Sequence, residues 1–206
     1  MRRTRWFLGL ALVTLFFAGF VMRNMLIRAS ALARPAYTLS SQATQYDPNG
    51  TGHPLFVETM YMSSSGNWHD VKQYAAGMKV DTFGTVGVGV FAKREGENKV
   101  NFLSSYDAPR PVLPSDLLQK NADLLRTETV LGYPAFVTKA NNNPQMEFYK
   151  APIIGGDDIK LVDKSETYTV VIEPTSLVPG EPDASLLKTP ADLPVSYENF
   201  DKVHAK

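Results

Sequence analysis

Apolar residues are distributed along this chain in two regimes. The first is unbroken: from Trp6 to Met22 (WFLGLALVTLFFAGFVM) no side chain is charged. The second begins at Leu55, where short apolar runs alternate with polar, glycine-bearing turns. Leu55–Met62, Trp68–Ala75, Thr85–Ala92, Lys99–Ser104, Gln145–Tyr149 and Thr167–Ile172 predict strands by period, composition and boundary. Ser63–Asn67 and Arg94–Asn98 predict turns between them. One segment has a different period. In Ser115–Arg126 (SDLLQKNADLLR), Leu118, Ala122 and Leu125 recur at helical spacing with Leu117 and Leu124 beside them. Ser115 suits the N-cap and Asp116 the positive end of the helix dipole, after Pro111 and Pro114. Residues 35–54 show no apolar periodicity, are rich in turn formers, and predict a linker.

Parallel strands need a crossover, usually helical, between neighbours, and a single helix among seven or eight strands does not supply it. The expected fold is therefore mainly β (α+β), an antiparallel meander with one helix packed on a face. The expected organisation is a membrane anchor or signal at 1–34, the linker at 35–54, and a β-rich exported domain at 55–206.

Seventeen residues at about 1.5 Å each make a helix of roughly 25 Å, slightly short for a hydrocarbon core of about 30 Å. Met25-Leu26-Ile27 lengthens the span if Arg23 snorkels to the interface. Six of the 21 basic residues (Arg2, Arg3, Arg5, Arg23, Arg28, Arg34) and none of the 21 acidic ones lie in the first 34 positions. The basic cluster before the apolar run favours a cytoplasmic N-terminus and a domain on the far side of the membrane. Ala31-Leu32-Ala33 offers a signal-cleavage site, and a secreted product is the alternative, but the site lies well beyond the apolar run, which favours an uncleaved anchor. The rest of the chain carries 15 basic against 21 acidic groups, a net −6, which is no footprint for nucleic acid. The chain has no cysteine, which excludes disulfides, thiolate metal sites and a cysteine nucleophile.

Candidate chemistry is sparse, and no cofactor or metal is expected. Gly87-Val88-Gly89-Val90-Phe91-Ala92 matches a dinucleotide-binding pattern, but a charged turn and a strand follow where that motif needs a helix. It reads instead as a strand with Val86, Val88 and Val90 on one face and the glycines on the other. Asp47, Asn49, Thr51, Gly52 and Glu58 have calcium-loop spacing, yet the segment runs into a predicted strand and reads as a polar turn. Gly155-Gly156-Asp157-Asp158 is hairpin-turn composition. His69-Asp70 near Ser63–Ser65 is the nearest approach to a hydrolase set, although neighbours on a strand point to opposite faces. Trp68, Phe102, Phe148 and Tyr168, together with Leu118 and Leu125, are the candidates to line a ligand cavity. An aromatic set in strands equally suits a filled core.

The phrases Leu131-Gly132-Tyr133-Pro134-Ala135-Phe136-Val137, Tyr149-Lys150-Ala151-Pro152, Pro179–Leu187 and Pro190–Val195 occur in an order that resembles the outer-membrane lipoprotein carrier and its half-barrel relatives. The resemblance covers roughly residues 55–195. It implies a curved antiparallel sheet wrapped around helices, with an apolar interior that holds acyl chains. The chain departs from the carrier in its apolar N-terminal stretch and in lacking a helix at the start of the domain. The expected function is a membrane-anchored, extracytoplasmic, non-catalytic binding domain for a lipid or other apolar ligand. The alternatives are a structural or interaction module of an envelope complex and, more remotely, a small hydrolase.

Overall fold

A computed structural model describes residues 34–107, 124–140 and 143–197, all within the unit Arg34–Lys206. Twelve strands form one sheet. In chain order they are β1 (Tyr37–Tyr46), β2 (Gly52–Met62), β3 (Trp68–Tyr74), β4 (Lys79–Thr85), β5 (Gly89–Arg94), β6 (Val100–Ser104), β7 (Leu124–Val130), β8 (Tyr133–Ala140), β9 (Asn143–Lys150), β10 (Asp158–Lys164), β11 (Thr169–Pro179) and β12 (Val195–Ser196). Their order across the sheet is β12-β6-β5-β4-β3-β2-β1-β11-β10-β9-β8-β7. Every pairing is antiparallel except β12 with β6. The expectation of a mainly antiparallel sheet is met; the order is two meanders, β1 to β6 and β7 to β11, joined where β1 pairs with β11, rather than one.

Two expectations are corrected. Residues 37–46, placed in the linker 35–54, form β1, which pairs with both β2 and β11 at the middle of the sheet. Its inward positions Tyr37, Leu39, Ser41 and Ala43 are all buried. Two of those four are small or polar, so the period-two signal was muted exactly where packing is tightest against neighbours on both sides. The second correction concerns the helix expected over 115–126. Residues 115–123, with Leu118, lie outside the described residues, while Leu124, Leu125 and Arg126 belong to β7. There Leu124 faces Thr138 and Arg126 faces Val137, and Arg126 donates to Glu147 and to the Tyr149 hydroxyl across the sheet. Among the described residues the only helical pieces are the short 3₁₀ turns Pro152–Ile154 and Ala184–Leu187. None of the described helices is long and apolar enough to cross a membrane; Trp6–Met22 lies outside those residues.

The segment expected as one strand over Thr85–Ala92 is the β4–β5 hairpin. Val88 N–H donates to the Thr85 carbonyl to close its turn, and Phe83 and Phe91 face each other across it. Two glycines here are required by close approach. A Cβ on Gly84 would lie 2.0 Å from the Trp68 indole nitrogen, and one on Gly89 2.5 Å from the Phe102 ring. Each aromatic ring therefore packs closely over a glycine of the neighbouring strand.

The main apolar cluster joins Tyr37, Leu39 and Met62 to Val137, Tyr149, Ile154, Ile159 and Val162, with Trp68 packed against it. Arg34 and the Tyr37 hydroxyl both bond Asp157, the latter at 2.9 Å, and so fasten the start of the sheet to the turn before β10. Burial, and then the Asp157 charge, push the Tyr37 phenol far above the ordinary tyrosine range.

Candidate functional site

Directly opposed residues in adjacent strands share a face, so the register defines what each side of the sheet presents. On the face that carries Ala43, one row crosses seven strands without interruption. Thr138, Phe148, Leu161, Ile172, Ala43, Phe56 and Tyr74 stand opposite one another in turn, on β8, β9, β10, β11, β1, β2 and β3. Ala43 and Thr138 are buried, and the five larger side chains are only half-buried. Phe56 and Tyr74 are in ring contact at 5.7 Å.

Beside this apolar band lies a compact charged group. Lys72 Nζ is 3.1 Å from Glu58 and 3.2 Å from Asp70, and 5.4 Å from the Phe56 ring centroid. Asp70 is buried, and its Oδ1 has no hydrogen-bond partner among the described residues. Burial raises the Asp70 carboxyl above its usual range; Lys72 opposes this and Glu58 adds to it. Burial alone would lower the Lys72 pKa, but its two carboxylate neighbours outweigh that and raise it.

A pH dependence follows from Asp70. A carboxyl whose folded pKa is raised binds its proton more tightly in the folded state. Its contribution to stability is complete below the unfolded value and is lost as pH rises through the folded value. Asn cannot titrate, so the stability of Asp70→Asn relative to the parent should rise with pH across that interval and then level off. Paired urea titrations from about pH 3 to about pH 8 read the difference, in which carboxylates not coupled to Asp70 cancel. A difference that stays flat, or falls with pH, would show that Asp70 ionises without cost.

The opposite face carries an aromatic row. Thr38, Tyr61, His69, Phe83, Phe91 and Phe102 are successive partners across β1 to β6. His69 stacks on Phe83 at 4.2 Å, and Phe91 meets Phe102 edge-on at 5.6 Å. His69 Nε2 is 3.1 Å from Asp81. Residues 181–197 form a strap associated with these strands. Glu181 accepts from Ser64 N–H, Thr189 bonds Thr85, and the Pro194 carbonyl accepts from Val100 N–H. The 3₁₀ turn Ala184–Leu187 lies against β2 and β3, and Tyr197 lies 5.4 Å from Phe102.

The predicted cavity residues are thus dispersed. Trp68 and Phe148 share the face of Ala43, although in different rows. Phe102 is on the other face. Tyr168 is exposed at the β10–β11 turn, and Leu125 is exposed on β7. The residues that accompany Phe148 in the band, Leu161, Ile172, Ala43 and Phe56, were missed because rows across strands are invisible until register is known.

The hydrolase and metal alternatives meet competing partners. Ser63 Oγ donates to the Asn67 carbonyl and contacts Ser65, while His69 pairs with Asp81 rather than with a serine. In the calcium-like window, Asp47 bonds His53 at the hairpin turn, whereas Glu58 lies up β2 with Lys72. Asp157 is taken by Arg34 and Tyr37, and Asp158 by Lys150. Among the described residues no group of three His, Asp or Glu side chains is arranged to hold a metal ion.

No family model matches the sequence, and no curated relative matches it. Among solved structures the chain is similar to a LolA superfamily protein from Nitrosomonas europaea, with 9% identity over 76% of this chain and 91% of that one, at a TM-score of 0.37. It is also similar to MucB in the Pseudomonas aeruginosa MucA/MucB complex, with 14% identity, 82% and 60% coverage and a TM-score of 0.42. The chain therefore matches less than two thirds of that MucB chain. A DUF1329 family protein from Desulfovibrio piger matches at 12% identity, 76% and 92% coverage and a TM-score of 0.31. The resemblance suggested by the proline-bounded phrases thus has a structural counterpart at low identity.

Proposed function

We propose that this chain is a non-catalytic binding domain, exported and held at the outer side of the membrane by its N-terminal apolar stretch. Its ligand is an apolar chain of the acyl type, received along the band of Phe148, Leu161, Ile172, Phe56 and Tyr74. The observation that carries this reading is the band itself: five large apolar side chains in one unbroken row, each only half-buried. Twisted sheets of more than about ten strands rarely stay open without curling, and curling would bring such a row around a single elongated ligand.

Delipidated protein titrated with a fluorescent fatty acid should bind it saturably. Phe148→Ala combined with Leu161→Ala removes roughly 1 kcal/mol or more of apolar contact at each position, so affinity should fall by at least about tenfold. The urea midpoint of the double variant, measured in parallel, separates lost contact from lost fold. Absence of saturable binding to the parent protein would remove the ligand reading and leave the interaction-module alternative.

A further inference from the structure

β7 stands at one edge of the sheet. The opposite side ends on β12, which the chain's own strap lays beside β6. Among the described residues β7 has one strand neighbour, β8. The hairpin between them turns through Leu131 and Gly132, with φ of 51° and 84°, the two-residue turn that matches the twist of paired strands. In such a hairpin the flanking residues, Val130 and Tyr133, exchange both backbone hydrogen bonds, and bonded and non-bonded pairs alternate from there. Thr129 with Pro134 is then a non-bonded pair, which suits a proline that has no N–H to give. Thr127 with Phe136 is the next. The backbone N–H and C=O groups of Thr127 and Thr129 therefore point away from β8, to an edge that no described strand occupies.

An unpaired edge is a template for another strand, and the side chains of β7 select which strand fits. Arg126-Thr127-Glu128 is its own complement in an antiparallel pair. A two-fold axis through Thr127 sets Thr127 against Thr127, and Arg126 of each copy against Glu128 of the other. Both charged side chains keep exposed surface, 40% and 39%. Opposite charges that face each other across strands stabilise the pair, and like charges destabilise it. The backbone is satisfied as well, because Thr127 turns its free groups outward in both copies. A slip of two residues either way, the smallest that keeps outward groups facing, sets Glu128 against Glu128 or Arg126 against Arg126. Leu125, exposed on the same strand, comes opposite Thr129. β7 has no lysine or proline, residues that commonly guard an edge. Its bulge between Leu124 and Arg126 keeps the regular stretch short, so the contact is small beside a standard interface.

We infer that β7 is a homodimerisation edge, at which two copies of this chain pair antiparallel about Thr127 and join their sheets into one. The occupant is a second copy because β7 itself supplies both members of each charge pair, in the order a two-fold axis requires. The pairing is independent of what the apolar band binds.

The chain has no cysteine, so single cysteines report the pairing in the full chain held in detergent micelles. Thr127→Cys brings two Cα atoms to about 5.5 Å, within disulfide reach. Thr129→Cys leaves them roughly 13 Å apart, four residues along the strand, and Asn49→Cys lies on the β1–β2 turn. Under mild oxidation Thr127→Cys should form disulfide dimers several-fold faster than either. In the Thr127→Cys chain, Glu128→Arg and, separately, Arg126→Glu should each slow cross-linking about tenfold. Mixing those two variants should restore it, because each then faces its opposite charge. Arg126 also bonds Glu147 and Tyr149, so urea midpoints are read in parallel, and Arg126→Gln replaces Arg126→Glu if the latter does not fold. Equal rates for all three cysteines, fast or slow, would overturn the inference. So would rapid cross-linking of Thr127→Cys that ignores the charge changes. A Thr127→Cys thiol that neither cross-links nor reacts with a water-soluble maleimide would mean that the edge is covered within one chain, which overturns it too.

Discussion

A chain ended after Gly180 should lose several kcal/mol of stability and bind an apolar reporter dye, because it loses the strap over the aromatic row. Phe83 is 5% and Phe91 6% exposed, and His69 stacks on Phe83 with Tyr61 tilted on its other flank. Rings of this size remain buried only if something covers them. The strap is positioned to do so through Glu181 at Ser64, Thr189 at Thr85, Pro194 at Val100 and Tyr197 on Phe102. Uncovering two or three aromatic side chains costs about 4–6 kcal/mol at the usual burial coefficient. That is comparable with the whole stability of an ordinary domain. Urea titration and dye fluorescence of the truncated chain read the two consequences. A companion ended after Tyr197 separates the strap from residues 198–206. An unchanged urea midpoint with no dye binding would show that the row is covered by something other than residues 181–197.

The strap also shows what a linear reading can and cannot deliver. Its proline-bounded phrases were visible as Pro179–Leu187 and Pro190–Val195, and they prompted a family resemblance, but nothing in them announced a path along β2 to β6. Strands such as Leu55–Met62, an apolar run bounded by turn residues, and Lys99–Ser104, with Val100 and Phe102 alternating with polar positions, were legible because composition, boundary and period survive without knowledge of their neighbours. β4 was not, since Lys79–Thr85 alternates charged and polar residues with Val80 and Phe83 and ends on Gly84, whose role is to admit the Trp68 indole. β7 was misread because Leu124 and Leu125 extend a helical spacing that begins before them, whereas Arg126 and Glu128 alternate with threonines at strand period. The apolar band was out of reach for a different reason. Each of its members lies on a different strand, and only the ladder pairings put Phe148, Leu161, Ile172 and Phe56 in line.

Ala43→Asp should unfold the domain, and it bears directly on whether residues 35–54 tether the sheet or complete it. Ala43 is fully buried and lies between Ile172 on β11 and Phe56 on β2. A carboxylate placed there must be desolvated against apolar neighbours or protonated at a strongly raised pKa. Either route costs several kcal/mol, a large part of the total stability. Size alone is not the cause: Ser41, two residues earlier on the same face, is buried with its hydroxyl. Ala43→Ser should therefore cost only about 1–2 kcal/mol and keep the fold. In a polar tether both substitutions would fall within about 0.5 kcal/mol of the parent, as exposed changes usually do. Urea midpoints of the two variants decide the matter, and fatty-acid titration of the serine variant extends it to function. With the fold retained, a small hydroxyl in the middle of the band should weaken an acyl ligand modestly, whereas a ligand bound elsewhere would be indifferent to it.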